Sequence, residues 1–79
     1  MMKAFVTVKL KNGVLDPQGK AIAHTLNDIG FPEVLAANQG KVIELDLKEG
    51  TPESKIKEMC DKLLANPVIE SYQIEVKSA

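Results

Sequence analysis

The segment of this 79-residue chain that comes nearest to a chemical motif is GVLDPQGK, from Gly13 to Lys20. A glycine-rich loop that opens a helix can cradle phosphate with its backbone amides. One residue too many separates Gly13 from Gly19 for that loop, and Ala21 stands where a Ser or Thr would bind magnesium. Asp16 would also occupy the first amides of the helix and repel an anion there. We therefore predict that this segment starts a helix and does not by itself bind a nucleotide.

Other side chains capable of chemistry are few and lie apart in the predicted elements. His24 is expected on the polar face of the first helix, and Cys60 on the apolar face of the second, where a thiol packs as a small hydrophobe. Glu44 and Asp46 share one face of a strand, but two carboxylates without further oxygen ligands make a weak cation site. The sequence thus predicts no nucleophile with its base, no metal site and no cofactor on this chain.

The composition excludes several further classes of protein. Ten basic and eleven acidic residues give a net charge of −1, so attraction to nucleic acid or to an anionic membrane is not expected. All ten basic residues are lysines, and the chain has one cysteine. A reducing cytoplasm fits that usage best, and the N-terminal alternation does not form a signal peptide. We expect a cytoplasmic protein.

The first half of the chain predicts a strand, a helix and a second strand. Lys3 to Leu10 alternates strictly between apolar and other residues, as a strand with one buried face does. Asp16 supplies an N-cap acceptor before Pro17, which predicts a helix from about Pro17 to Ile29. After Pro32, the apolar run Val34 to Ala37 is predicted as a short strand.

The second half repeats this pattern with a strand, a helix and a strand. Val42 to Leu47 alternates, and Thr51-Pro52 predicts a capped helix start. The helix is expected to bury a continuous stripe of Ile56, Met59, Cys60, Leu63 and Leu64. Pro67 ends this helix, and alternation around Ile74 predicts the last strand.

The order strand, helix, strand, strand, helix, strand predicts an α+β, ferredoxin-like sandwich: a four-stranded, mainly antiparallel sheet with two helices on one face. We take residues 1–79 as a single domain. The same order occurs in RNA-recognition motifs, metal chaperones and acyl-phosphate hydrolases, but this chain lacks their aromatic platform, CxxC and arginine respectively. A chain this short is marginal alone, so we expect a homo-oligomer, with exchange of a strand between subunits left open.

Three segments together carry a more specific signal. LKNGVLDPQG from Leu10 to Gly19, the Gly40-Lys41 turn before a strand, and KEMCDKLLANPVIE from Lys57 to Glu70 followed by Tyr72 resemble the PurS family over essentially the whole chain. PurS is the small subunit of bacterial and archaeal phosphoribosylformylglycinamidine (FGAM) synthase. The resemblance implies a role in de novo purine synthesis as a non-catalytic subunit of that ligase complex.

In such a complex a glutaminase subunit, PurQ, releases ammonia, and a large subunit, PurL, uses ATP and Mg to make the amidine. The resemblance implies that this chain forms a homodimer or homotetramer, bridges those two subunits and supports ammonia transfer. The partner contacts that it implies are Asp16, Pro17, Gln18, Gly19, Gly40, Lys41, Asn66, Pro67 and Glu70. Many relatives have an arginine where this chain has Asn38, so a contact made by that arginine is not expected here.

A second reading, from another class, is a ferredoxin-like module that senses a small molecule between two subunits. It predicts that a ligand changes the oligomeric state or the melting temperature. The purine reading predicts instead an effect on amidine synthesis.

Overall fold

The computed structural model of the chain describes residues 1–78. Three strands and two helices follow one another, and the second helix ends in a π-helical turn. Their bounds are β1 Met2–Leu10, α1 Pro17–Asp28, β2 Gly40–Leu47, α2 Glu53–Met59, the π turn Cys60–Leu64 and β3 Glu70–Ser78.

The sheet has the order β2-β1-β3, and both neighbours of β1 run antiparallel to it. Alternation in β1 places Ala4, Val6 and Val8 on one face, where each is at most 1% exposed. The prediction of a small α+β fold with an antiparallel sheet is therefore confirmed in outline.

The core lies between this face of the sheet and α2. Ile56 and Cys60 are fully buried against the three β1 residues, and Ala65 closes the cluster. The predicted stripe is wrong at Leu63, whose side chain is 83% exposed. The Ala65 amide donates to the Cys60 carbonyl (2.9 Å), five residues earlier, which widens the last turn. Each residue of this turn is therefore rotated about the helix axis by less than in an α-helix, and the Leu63 side chain points away from the core.

The start of α2 also differs from the prediction. The N-cap position is Pro52, and no side chain caps the helix. The Thr51 hydroxyl donates instead to the Lys48 carbonyl (2.7 Å), within the turn that follows β2.

The fourth strand predicted at Val34 to Ala37 is absent from the described structure. The reason is that this segment bonds to α1 and not to β2. The Asn27 side-chain amide donates to the Val34 carbonyl (2.9 Å), and the Ala37 carbonyl lies against Gly19 at the first turn of α1. The outer edge of β2 is therefore left without the strand that a complete ferredoxin-like sheet would place there.

The prediction that both helices cover one face of the sheet is correct only for α2. We call α1 with its returning segment, residues 17–39, the arm. Within it Gly19 is the one buried residue of α1, and the apolar side chains of Ile29 and Leu35 are 63% and 94% exposed. The described chain extends over 49 × 28 × 14 Å, which shows how far the arm departs from a compact sandwich.

The opposite face of the sheet, away from α2, carries both apolar and charged side chains. Phe5 lies at its centre with the Lys77 ammonium 5.7 Å from its ring. Lys3 bonds Glu44 (2.8 Å) and Asp46 (3.3 Å), and these two partners raise the pKa of Lys3. Lys3 thus contacts both strand carboxylates and balances one of their two negative charges.

Candidate functional site

The predicted contact residues gather at one end of the sheet, where β1 ends and β2 and β3 begin. We call this region the sheet end. Lys9 pairs with Gly40 across one side of β1, and Leu10 pairs with Glu70 across the other. Residues far apart in the sequence therefore meet here because β1 is the central strand.

Asp16 ties the arm to the sheet end through both carboxylate oxygens. Its Oδ1 accepts from the Gly19 amide at the first turn of α1, and its Oδ2 accepts from the Gln39 amide just before β2, both at 2.8 Å. These amide donors, Gln39 first, lower the pKa of Asp16 below its ordinary value. The residue is therefore a helix cap, as predicted, and also a link between two segments.

Two glycines at the sheet end allow close backbone approach. A side chain at Gly19 would collide with the Ala37 carbonyl oxygen, so the returning segment of the arm packs closely on this glycine. At Gly40 a Cβ atom would lie 2.7 Å from the Val8 carbonyl oxygen, in the strand pairing itself. Both glycines have structural roles that the structure explains without a partner.

The segment from Asn66 to Glu70 reaches the same end as a tight turn. Its Glu70 carboxylate accepts from the Asn66 amide (2.7 Å), while the Asn66 side chain accepts from the Val68 amide (3.0 Å). Lys11 joins this turn to the end of β1, because its ammonium donates to the Pro67 carbonyl (2.7 Å). The second group of predicted residues therefore adjoins the first.

A shallow cleft of about 320 Å³ lies between these segments. Val8, Leu10 and Gln39 contribute to its wall. Six of the nine predicted contact residues line it as well, namely Asp16, Pro17, Gln18, Gly40, Lys41 and Glu70. Gly19, Asn66 and Pro67 lie beside it without lining it.

Sequence reasoning missed the neighbouring residues. A second cleft of about 370 Å³ shares Asp16, Gln39 and Gly40 with the first and adds Lys9 and Lys11. This cleft could have been predicted from the pairing of the last residues of β1 with the start of β2. That pairing is known only once the order of the strands in the sheet is known.

The two residues first considered for chemistry, His24 and Cys60, do not line the clefts at this end. Within residues 1–78 no three His, Cys, Asp or Glu side chains group as metal ligands. His24 is exposed on the arm and contacts Asp28 (3.2 Å), while Cys60 is buried in the core and burial raises its thiol pKa. No helix in the described part of the chain is long and apolar enough to cross a membrane.

These features define a class of protein: a small α+β chain with an antiparallel sheet, whose predicted contact residues lie at one end of that sheet. The family model of PurS, phosphoribosylformylglycinamidine (FGAM) synthase, matches residues 3–78. The chain belongs to the PurS family, as its motifs indicated.

Individual relatives agree with this assignment over their whole lengths. The chain is 48% identical to the phosphoribosylformylglycinamidine synthase subunit PurS of Methanocaldococcus jannaschii, over 98% of this chain and 96% of that protein. Its fold matches the solved structure of PurS from Bacillus subtilis with a TM-score of 0.91 at 45% identity, over 99% of this chain and 100% of that one.

A further match lies in a larger assembly. One chain in the structure of PurLQS from Thermotoga maritima matches with a TM-score of 0.70 at 25% identity, over 98% of this chain and 99% of that one. The names of these relatives do not favour the small-molecule-sensing alternative.

Proposed function

We propose that this chain is the non-catalytic small subunit of an FGAM synthase complex, that it bridges the glutaminase and the ATP-dependent synthetase subunits, and that it supports ammonia transfer between them. The observation that carries the proposal is the sheet end, where six predicted contact residues surround one cleft. Membership of the PurS family and the likeness to a chain of the PurLQS assembly support the same role.

The physical logic of such a subunit is linkage. If the chain binds the other two subunits best when they are joined, it shifts the population toward the joined state. Ammonia released by the glutaminase would be protonated in bulk water, so a closed assembly favours its use. The proposal needs no cofactor on this chain, since ATP and Mg serve the synthetase subunit, and it places the complex in the cytoplasm.

The proposed active form is a homodimer or homotetramer, which the surface of the single chain supports. Its accessible area is 5876 Å², whereas a compact monomer of 8.6 kDa exposes about 4,700 Å². The excess of roughly 1,200 Å² is larger than the about 800 Å² that one partner buries in an ordinary protein interface. Its radius of gyration, 16.0 Å, likewise exceeds the about 12 Å of a compact chain of this length.

The test is amidine formation by the glutaminase and synthetase subunits from the same source, with and without this chain. Glutamine-driven and ammonia-driven reactions are measured in parallel. We expect omission of the chain to abolish the glutamine-driven rate and to leave the ammonia-driven rate intact. Equal rates with and without the chain in both assays would refute the proposed function.

A further inference from the structure

Four lysines surround the clefts at the sheet end. Lys9 and Lys11 line the 370 Å³ cleft and Lys41 lines the 320 Å³ cleft. Lys20 lines a third cleft of about 510 Å³ between the arm and the β1–α1 turn. Asp16 lies in the wall of all three clefts, so the four side chains belong to one continuous surface, which we call the lysine surface.

The charge of this surface is not compensated locally. All four lysines are exposed, and among residues 1–78 none of the four ammonium groups lies within 4.0 Å of a carboxylate. Lys11 donates to a neutral carbonyl, which leaves its charge unbalanced. Near the other end of β1 the pattern differs, since Lys3 contacts two carboxylates and the N-terminal amine contacts Glu49.

The charges of the chain are therefore distributed unevenly, with positive charge in excess at the three clefts and negative charge in excess elsewhere, although the net charge is only −1. Four lysines and two carboxylates, those of Asp16 and Glu70, line the three clefts; six lysines and nine carboxylates remain for the rest of the molecule. A local excess of one sign raises the local concentration of a partner of the opposite sign and orients its approach.

We propose that the lysine surface docks an acidic segment of a protein partner, with an apolar side chain of that segment in the 320 Å³ cleft beside Leu10 and Pro17. The inference rests on the proposed function, because it states the chemistry by which the sheet end recognises another subunit. Leu10 and Pro17 give the 320 Å³ cleft its accessible apolar surface, since Val8 is only 1% exposed.

An extended acidic segment fits this surface better than a compact anion does. The lysines are distributed over three clefts, and the Asp16 carboxylate stands between them with its charge favoured by two amide donors. A phosphate group close enough to contact several lysines would also face that carboxylate. A peptide carries its carboxylates at intervals, so it can contact the lysines and pass over Asp16.

The test is the affinity of this chain, in its oligomeric form, for the synthetase and glutaminase subunits at about 50 mM and about 300 mM NaCl, since screening weakens contacts between exposed charges. The variant is Lys9→Glu/Lys41→Glu. The matched control is Lys48→Glu/Lys55→Glu, which changes two exposed lysines away from the three clefts by the same net charge. Melting curves and sedimentation establish that both variants keep the fold and the assembly.

We expect the Lys9/Lys41 reversal to weaken binding at least tenfold at low salt and to flatten its salt dependence, and the control to weaken it less than threefold. The neutral variant Lys11→Gln/Lys20→Gln removes two charges without reversing them, and it is the variant to use if the charge reversal disturbs the fold. It is expected to weaken binding less, in the same direction. Equal losses in variant and control, or an affinity independent of salt, would overturn the proposal.

A titration with inorganic phosphate, followed by NMR shifts of the sheet end, separates the two anion classes. Saturable phosphate binding that the reversal abolishes, with unchanged subunit affinity, would overturn the acidic-segment proposal in favour of a small anion. If glutamine-driven synthesis needs the chain but the reversal changes nothing, the proposed function stands and the lysine surface does not serve it.

Discussion

At the scale of single residues, Asp16 has more consequence than its exposed surroundings suggest. One oxygen caps α1 and the other fixes the start of β2, so the arm and the sheet share one carboxylate. An asparagine has one acceptor oxygen and would turn its amide hydrogens toward the second donor. The link, and not only the cap, is therefore specific to aspartate.

Asp16→Asn is expected to lower the melting temperature by about 5 °C at neutral pH, because one of the two bonds is lost. The folded pKa of Asp16 lies below its ordinary value of 3.8, so its stabilising effect is complete above about pH 5 and is lost as the pH falls through the folded pKa. Thermal unfolding between pH 8 and pH 3 should show a difference from wild type that is constant above about pH 5 and narrows toward pH 3.

The control is Asp28→Asn, which changes an exposed aspartate in contact with exposed His24. It should shift the melting temperature much less at every pH. A difference between Asp16→Asn and wild type that persists unchanged at pH 3 would contradict a carboxylate-dependent link.

Gly19→Ala tests the close approach between α1 and the returning segment. Replacing glycine by alanine inside a helix ordinarily stabilises it. Here the new methyl group would collide with the Ala37 carbonyl, so we expect a loss of about 1–3 kcal/mol in the free energy of unfolding. Urea unfolding measures it, with Gln18→Ala at the exposed neighbouring position as the control. Stabilisation by Gly19→Ala would show that the arm does not pack as described.

At the scale of elements, the sequence predicted correctly the three strands and two helices that the structure contains, but it also predicted a fourth strand that is absent from the described chain. Alternation identifies β1, β2 and β3 because each has one face against the core. The run from Val34 to Ala37 is apolar enough for a strand, yet its backbone groups bond to α1, a choice that depends on tertiary contacts. The predicted contact residues came from motif resemblance, and the lysines beside them were missed because their proximity follows from strand register.

The π turn at the end of α2 makes the burial of two side chains differ from what α-helical periodicity predicts, and this difference can be tested by mutation. By α-helical periodicity Ile56 and Leu63 belong to one buried stripe, but Ile56 is fully buried and Leu63 is 83% exposed. Ile56→Ala should therefore cost about 2–5 kcal/mol in the free energy of unfolding, and Leu63→Ala less than about 0.5 kcal/mol. Chemical denaturation at equal protein concentration measures both. Similar losses would mean that α2 continues as a regular α-helix.

At the scale of the whole molecule, the arm contributes four of the eleven large apolar side chains that the described chain exposes. Ile22, Ile29, Phe31 and Leu35 are each at least 41% exposed, and all lie in the arm. Exposed apolar side chains in one element are typical of an interface, and the extra surface of the chain matches the size of one. The outer edge of β2 and the mixed face around Phe5 are two further surfaces that lack a partner within the described chain.

If a second copy covers the arm, polar substitutions there should dissociate the oligomer. Ile22→Asp/Leu35→Asp is expected to convert a wild-type mass of two or four chains to that of one, as sedimentation equilibrium measures at micromolar concentration. Val68→Asp changes an apolar residue outside the arm whose exposure, 78%, lies between those of Ile22 and Leu35, and it should leave the mass unchanged. Because a chain of this length is marginal alone, the double variant should also melt earlier, and its melting temperature should no longer rise with protein concentration. A wild-type chain that is monomeric, or a double variant that keeps the wild-type mass, would show that the arm serves a different partner.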